Sequence, residues 1–118
     1  MPSRRPPRLP RDCYRGCQRV FLTMCAYQRR EYFVDAGCVT LVRDQLLRTA
    51  SETRVEVIAY CFMPDHVHIL LEGGGRTVDL ENCAATFRRR AGYAYKRVFG
   101  ARLWQEGFQD LVATHSAN

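Results

Sequence analysis

The alternation of apolar and polar positions switches along this chain between the two-residue period of strands and the longer period of helices. Alternating β-branched and aromatic residues over Val20–Arg29 predict a first strand. Similar patterns predict strands over Val55–Met63 and His66–Gly73. The Met-Pro-Asp segment at 63–65 separates these two, because proline removes a ladder donor and suits a tight turn. The pattern therefore predicts a β-hairpin in the middle of the chain.

Two helices are predicted, one on each side of this hairpin. Helical spacing runs from Gly37 to about Ser51, with Asp35 as an N-cap just upstream. After the break at glycines 73–75, Asp79 caps a second helix that runs to about Val98. A short last strand is predicted over Gly107–Thr114. The apolar positions that define the first helix are Val39, Val42, Leu46 and Ala50.

The resulting order, β-α-β-β-α-β, is that of the split βαβ, ferredoxin-like arrangement. It predicts an α+β fold, a two-layer sandwich with an antiparallel sheet and both helices on one face. A length of 118 residues allows one domain with a modest core, which we assign to residues 13–118. Residues 1–12 form a basic, proline-rich arm, either disordered or in contact with phosphates. This fold supports many functions, so function must come from the site.

The charge balance favours an anionic partner. Lys and Arg number 18 against 12 Asp and Glu, which gives a net charge of +6 and favours nucleic acid before membrane. No run reaches the roughly 18 apolar residues of a membrane span, and the N-terminus lacks a secretory core. Most of the 6 cysteines lie in apolar segments, and Cys13 and Cys17 lack the second pair of a zinc site. We therefore expect a cytoplasmic protein with reduced thiols.

The predicted second helix carries basic residues interleaved with aromatic ones. This combination suits a surface that tracks a nucleic-acid backbone and stacks bases. The alternative is a solvated basic face above a packed aromatic stripe. Two more arginines close the predicted first strand. The candidate DNA-binding residues are Arg88, Arg89, Arg90, Lys96, Arg97, Arg29 and Arg30, and the interleaved aromatics are Phe87, Tyr93 and Tyr95.

Two of the 3 histidines, His66 and His68, occupy positions i and i+2 at the start of the predicted third strand. In a strand they share one face, while Val67 and its alternating neighbours take the other. Neutral imidazole is the commonest side-chain metal ligand, and two on one face can share a divalent ion. The alternative is a pair of partly buried rings bonded to backbone carbonyls. The spacing beside a turn favours the metal site.

The fold order, the string MPDHVHILLE and the segment Leu-Trp-Gln-Glu-Gly-Phe at 103–108 together resemble one family. They resemble the single-tyrosine HUH transposases of small bacterial insertion sequences, and in particular the REP-associated tyrosine transposase branch. HUH stands for histidine, bulky apolar residue, histidine. The similarity runs from about Tyr14 to Asp110 and includes the Tyr-Gln-Arg-Arg at 27–30 and the basic second helix.

The resemblance implies cleavage and rejoining of single-stranded DNA that folds into hairpins. In the family the two histidines, here His66 and His68, hold Mg²⁺ or Mn²⁺ at the scissile phosphate. A polar residue on a C-terminal helix completes the protein ligands, and a tyrosine on that helix attacks phosphorus to form a 5′-phosphotyrosine link. Family members work as homodimers, so the implied partners are hairpin DNA and a second copy of the chain.

The nucleophilic tyrosine does not carry over. No tyrosine follows Tyr95, whereas the family's nucleophile lies well beyond the Trp-Gln pair. The chain therefore resembles a C-terminally truncated member that lacks the catalytic helix. Without that helix we expect apolar surface near Trp104 and Phe108 to be exposed and the stability of the fold to be limited. Tyr93 and Tyr95 are weak substitutes, since core or stacking roles suit them better. Whether the chain is an enzyme stays open, and the alternative is a catalytically dead DNA-binding remnant of a mobile element.

Three other classes fit the third strand less well. A histidine-triad nucleotide hydrolase needs a third histidine where Leu70 stands, and a metallo-β-lactamase-like hydrolase needs an acidic residue there. An RNA-recognition module stacks bases on aromatic residues of this strand, which here reads HVHILLEG. The triad hydrolase remains the more distant alternative.

Overall fold

The computed structural model describes residues 19–73 and 78–106 and the backbone of 109–114. The predicted arm over residues 1–12, the Cys13 and Cys17 pair and the Phe108 side chain lie outside the described residues. In the described parts no helix is long and apolar enough to cross a membrane. The four cysteines of the described part are free thiols, and Cys38 and Cys83 are buried in the core.

The elements follow the predicted β-α-β-β-α-β order and form a single antiparallel sheet. The strand order in space is β2-β3-β1-β4, so each helix crosses over one intervening strand. This confirms the split βαβ, ferredoxin-like prediction. The elements are β1 (Arg19–Cys25), α1 (Ala36–Thr53), β2 (Val55–Met63), β3 (His66–Gly73), α2 (Leu80–Phe99) and β4 (Gln109–Thr114).

The first strand is shorter than its sequence pattern predicted. β1 ends at Cys25, and the chain turns over Tyr27–Arg29. Gln28 and Arg29 have φ angles of 54° and 55°, in the left-handed region that extended residues do not adopt. The prediction of a strand to Arg29 was wrong at this end. Hydrogen bonds to distant backbone groups hold the turn, and local alternation does not report them.

Both helices begin at the predicted caps. The Asp35 carboxylate accepts hydrogen bonds from the backbone N–H groups of Gly37 and Cys38, at 2.7 and 3.1 Å. Asp79 accepts one from Asn82 N–H at 3.1 Å. These bonds satisfy donors that a helix start leaves open. α2 ends at Gly100, whose φ of 74° lies in the left-handed region that glycine adopts without steric cost.

The two faces of the sheet have opposite roles. Val67, Ile69 and Leu71 of β3 are buried beneath the helices, together with alternating residues of β1. The intervening residues of both strands, His66 and His68 among them, face the other side and are partly exposed. The predicted division of β3 into an apolar face and a histidine face is confirmed.

Trp104 closes the core at the histidine end of the sheet. Its side chain is 5% exposed and packs against Phe33 and Phe87, with ring centroids 6.1 and 6.0 Å away. Its backbone pairs with Ala26, just beyond β1. The prediction that the surface near Trp104 is exposed was therefore wrong at Trp104, because α2 and the segment after β1 cover it.

Candidate metal site and basic surface

His66 and His68 bring their Nε2 atoms to 3.2 Å from each other on the open face of the sheet. The rings meet edge to face, with centroids 4.7 Å apart and an interplanar angle of 82°. This geometry follows from the strand, because residues two apart project side by side from the same face. The open face therefore presents two adjacent imidazole nitrogens.

Asp65 orients the ring of His66. Its Oδ1 lies 2.7 Å from Nδ1 of His66, and its Oδ2 accepts a hydrogen bond from Nε of Arg29 at 2.9 Å. The bonds from His66 and Arg29, in that order, hold the pKa of Asp65 below its usual value. An ionised carboxylate only accepts hydrogen bonds, so Nδ1 of His66 donates to it, and in the neutral ring the lone pair is on Nε2.

A different pair of neighbours holds His68. Its Nδ1 lies 3.0 Å from Oγ1 of Thr23, and the ring of Phe21 stacks on it at 5.5 Å and 13°. Burial lowers the pKa of His68, and the nearby His66 lowers it further. Both effects favour the neutral imidazole, which is the form that binds metal ions.

The histidine pair fits a divalent metal ion as two neighbouring ligands. Imidazole nitrogens bind zinc at about 2.0–2.1 Å, so two nitrogens 3.2 Å apart can contact one ion. Imidazole nitrogens alone suit Zn²⁺ better than Mg²⁺ or Mn²⁺, which prefer oxygen ligands. Within residues 19–73 and 78–106, no group of three or more His, Cys, Asp or Glu side chains is arranged to hold a metal. Further ligands of such an ion would therefore come from groups other than these described side chains.

Backbone hydrogen bonds join the β2–β3 turn to the segment after β1. Ala26 N–H donates to the Asp65 carbonyl at 2.9 Å, and Phe33 N–H donates to the Pro64 carbonyl at 3.0 Å. Gln105 N–H donates to the Cys25 carbonyl at 3.0 Å. The first of these bonds fixes the backbone of Asp65, whose side chain is held by His66 and Arg29. The Leu-Trp-Gln segment thus supports the turn beside the histidines.

Sequence reasoning missed Thr23 and Asp65 as members of this site. Asp65 directly precedes His66, so its proximity was available from the sequence. Thr23 became a neighbour only through the register of β1 against β3, which sets Thr23 opposite His68. Of the two predicted DNA-binding residues after β1, Arg29 donates to Asp65 at 2.9 Å, and Arg30 donates to the side chain of Gln28 at 3.2 Å.

Two of the three consecutive arginines of α2 bind protein groups. The Arg88 guanidinium donates to the Gln105 carbonyl, and its own carbonyl accepts the indole N–H of Trp104 at 2.9 Å. Arg90 donates to Glu52 at 2.8 Å and to Thr49 at 3.3 Å, which joins the two helices. These two arginines therefore have structural contacts within the chain.

The other basic residues of α2 line two surface cavities. One, of about 290 Å³, is lined by Arg89 and Lys96 of α2, by Tyr93, and by Arg102 just beyond the end of the helix. The other, of about 410 Å³, is lined by Arg97 together with Arg48 and Arg90. Both belong to the helix layer, whereas the imidazoles lie on the other face of the sheet. The structure therefore does not bring these basic residues together with the histidine pair.

The two candidate tyrosines also lie in the helix layer. Tyr93 is 65% exposed, and Arg97 lies over its ring, 5.8 Å from the centroid. Tyr95 is buried, with its ring centroid 4.9 Å from that of Tyr32 and 4.7 Å from that of Phe99. Burial raises the pKa of Tyr95 to about 12. Neither tyrosine is on the histidine face of the sheet.

Comparison of the sequence with protein-family models decides the family. The model for IS200-like transposases matches residues 17–116. This chain belongs to the IS200-like transposase family. The resemblance inferred from the histidine motif and the Trp-Gln segment is thus confirmed. A comparison with curated proteins gives no match.

Two solved structures illustrate the shared fold. A REP-associated tyrosine transposase bound to a REP hairpin matches with a TM-score of 0.69 at 16% identity, over 99% of this chain and 64% of that one. A candidate transposase from Deinococcus radiodurans R1 matches with a TM-score of 0.68 at 22% identity, over 81% of this chain and 78% of that one. This chain thus spans about two thirds of the first structure's length. At these identities the matches show the fold.

Proposed function

We propose that this transposase chain binds single-stranded, hairpin-forming DNA and holds Mg²⁺ or Mn²⁺ on His66 and His68. The observation that carries the proposal is the 3.2 Å separation of two Nε2 atoms on an open sheet face. The Nδ1 atoms of both rings are occupied by Asp65 and Thr23, so both rings offer Nε2 to the same point. Family membership supports this reading.

The ion would supply charge neutralisation and orientation at a DNA phosphate. The protein's contribution is to hold two imidazoles in fixed positions, through the contacts of Asp65 and Arg29 on one side and Thr23 on the other. A phosphate oxygen would complete the ligand set that the described side chains leave incomplete. Binding of DNA and of the ion would then reinforce each other.

A separate stretch of the DNA backbone would lie against the basic residues of α2, on the other side of the sheet from the histidine pair. Arg89, Lys96 and Arg97 line open cavities, and the exposed ring of Tyr93 lies beside them as a stacking surface. The net charge of +6 supports an anionic partner. The hairpin in the related transposase structure supports the same class of ligand. We include a homodimer in this proposal, as the family resemblance implies.

We infer that these 118 residues bind DNA without cleaving it efficiently. Attack on a metal-bound phosphate requires a nucleophile within about 3–3.5 Å of the phosphorus. Tyr93 and Tyr95 belong to the helix layer, and Tyr60 is paired with Ile69, which faces that layer. A tyrosine that forms a 5′-phosphotyrosine link would have to approach from the open face.

One gel series tests the proposal. Labelled hairpin DNA is mixed with the protein and Mn²⁺ or a chelator, then run under native conditions and in denaturing detergent. We expect a native shift that depends on the protein and no detergent-resistant adduct. Absence of a native shift at physiological salt would contradict DNA binding. A metal-dependent covalent adduct that is lost in His66→Ala would contradict the inference that the chain does not cleave DNA efficiently. Peptide mass mapping would then identify the tyrosine in the adduct.

A further inference from the structure

The smaller of the two cavities in the helix layer collects positive charge without a neighbouring carboxylate. Arg89, Lys96 and Arg102 line this cavity, and none of its lining residues within the described part of the chain is acidic. In the larger cavity, by contrast, the carboxylate of Glu52 accepts hydrogen bonds from two of the lining arginines. The smaller cavity is therefore the better site for an anion.

The guanidinium of Arg102 is held in place on two sides. Its Nε donates to the carbonyl of Trp104 at 2.9 Å, and its Cζ lies 4.7 Å from the centroid of the Tyr27 ring. Because the bond to Trp104 uses Nε, the N–H groups of Nη1 and Nη2 remain available to donate together to one phosphate group. A side chain that is already fixed also loses less conformational entropy when it binds.

Tyr27 places Arg102 at the end of the sheet, between the helix layer and the histidine face. The N–H of Tyr27 donates to the Leu103 carbonyl at 2.8 Å, so the segment after β1 lies against the segment that follows α2. Just beyond Tyr27, Arg29 bonds Asp65 beside the histidine pair. A short path of adjacent residues thus joins the cavity to the histidines.

We propose that Arg102 binds one phosphate of the DNA where a single strand passes from α2, around the end of the sheet, to the histidine face. The charge of Arg102 attracts the phosphate, and its fixed guanidinium plane favours a two-point contact that a lysine does not make. The inference rests on the proposed binding of DNA and deepens it. It names the residue that connects the stretches of backbone on the two faces.

Arg102→Lys separates the guanidinium fork from the charge. Fluorescence anisotropy with labelled hairpin DNA that carries a single-stranded tail gives the Kd at several salt concentrations. Lysine keeps the charge and loses the fork, so the Kd should rise about tenfold while the slope of log K against log salt stays the same. Arg43→Lys, on α1, is the matched control and should leave the Kd unchanged. An unchanged Kd for Arg102→Lys would overturn the inference.

Two substitutions of Tyr27 test the stacking that holds Arg102. Tyr27→Phe keeps the aromatic ring and should bind DNA as the wild type does. Tyr27→Leu removes the ring and should raise the Kd about threefold. The effect should be smaller when Arg102 is already replaced by lysine, because the two residues act as one unit. Equal Kd values for the two Tyr27 variants would overturn the role of the stacked ring.

Neutral methylphosphonate links, placed one at a time along the DNA, locate the phosphate that Arg102 contacts. We expect one link to weaken binding by the wild type and to have no further effect in Arg102→Ala. On the same strand this link should lie between the one coupled to Lys96→Ala and the one that removes the effect of Mn²⁺ on binding. A position outside this interval, or no coupled link, would overturn the inference and leave DNA binding in place.

Two further outcomes concern the proposed function itself. If the wild-type chain does not bind the tailed hairpin, DNA binding and the role of Arg102 are both overturned. If it binds and Mn²⁺ has no effect, the proposed metal function is overturned, and the path to the histidine face with it.

Discussion

The indole N–H of Trp104 donates to the main-chain carbonyl of Arg88 at 2.9 Å, across the junction between α2 and the segment that follows it. The guanidinium of Arg88 in turn donates to the carbonyl of Gln105. Trp104, from the Leu-Trp-Gln segment, and Arg88, from the basic run of α2, thus form one structural unit. This unit supports the segment that hydrogen-bonds the end of β1.

Replacing Trp104 tests that support. Trp104→Ala should lower the free energy of unfolding by about 3–5 kcal/mol, because it leaves a cavity in the core and removes the partner of the Arg88 carbonyl. Urea unfolding followed by circular dichroism measures the change. Val98→Ala is the control, since Val98 is 66% exposed and should cost no more than about 0.5 kcal/mol. Equal effects of the two substitutions would contradict the assigned role.

Removing the charge of Asp65 tests the orientation of His66. Asp65→Asn replaces a carboxylate that only accepts with an uncharged amide that can also donate, so His66 is oriented less strictly and the Kd for Mn²⁺ should rise about 10- to 100-fold. Electron paramagnetic resonance of free Mn²⁺ measures the Kd. Asp44→Asn removes an exposed carboxylate on α1 and serves as the matched control. A Kd for Asp65→Asn that equals the control's would argue against the carboxylate as an orienting group.

The pH dependence of stability should report the contact between the helices. Hydrogen bonds from Arg90, and then from Arg48, hold the pKa of Glu52 below its usual value. A lowered pKa in the folded state contributes stability above the unfolded pKa, and acidification through the folded pKa removes it. Wild-type stability should therefore fall as the pH drops below about 4.5.

Unfolding of Glu52→Gln over the same pH range provides the comparison. The neutral side chain has no charge to lose, so the difference from wild type should be largest near neutral pH and shrink in acid. Because Glu52 is exposed, added salt should reduce the difference throughout. A difference that stays constant from neutral to acidic pH would show that the ionisation of Glu52 does not contribute to the pH dependence of stability.

The salt dependence of DNA binding should identify the residues that contact phosphates. Lys96→Ala should weaken binding to all hairpins by a similar factor and reduce the slope of log K against log salt by about 1. Fluorescence anisotropy at several salt concentrations measures both quantities. Arg43→Ala, on α1, is the charge-matched control and should leave the slope unchanged. If both variants reduce the slope alike, binding depends on overall charge and not on the cavity beside Lys96.

The main elements of this fold were predictable from local sequence. Both hairpin strands, β2 and β3, have the predicted bounds, and the caps Asp35 and Asp79 begin their helices as expected. The shared face of His66 and His68 followed from the two-residue period of a strand. These features depend on neighbours within a few positions, so periodicity and capping rules are sufficient to find them.

Only the tertiary structure decided which distant groups meet at the histidines. The register of β1 against β3 brings Thr23 to His68, and a left-handed turn brings Arg29 to Asp65. The same kind of long-range contact ended β1 at Cys25 and buried Trp104. Local periodicity determined the strands, the helices and the face of the histidine pair. Strand register and chain reversal determined its partners, because hydrogen bonds between distant segments leave no periodic trace in the sequence.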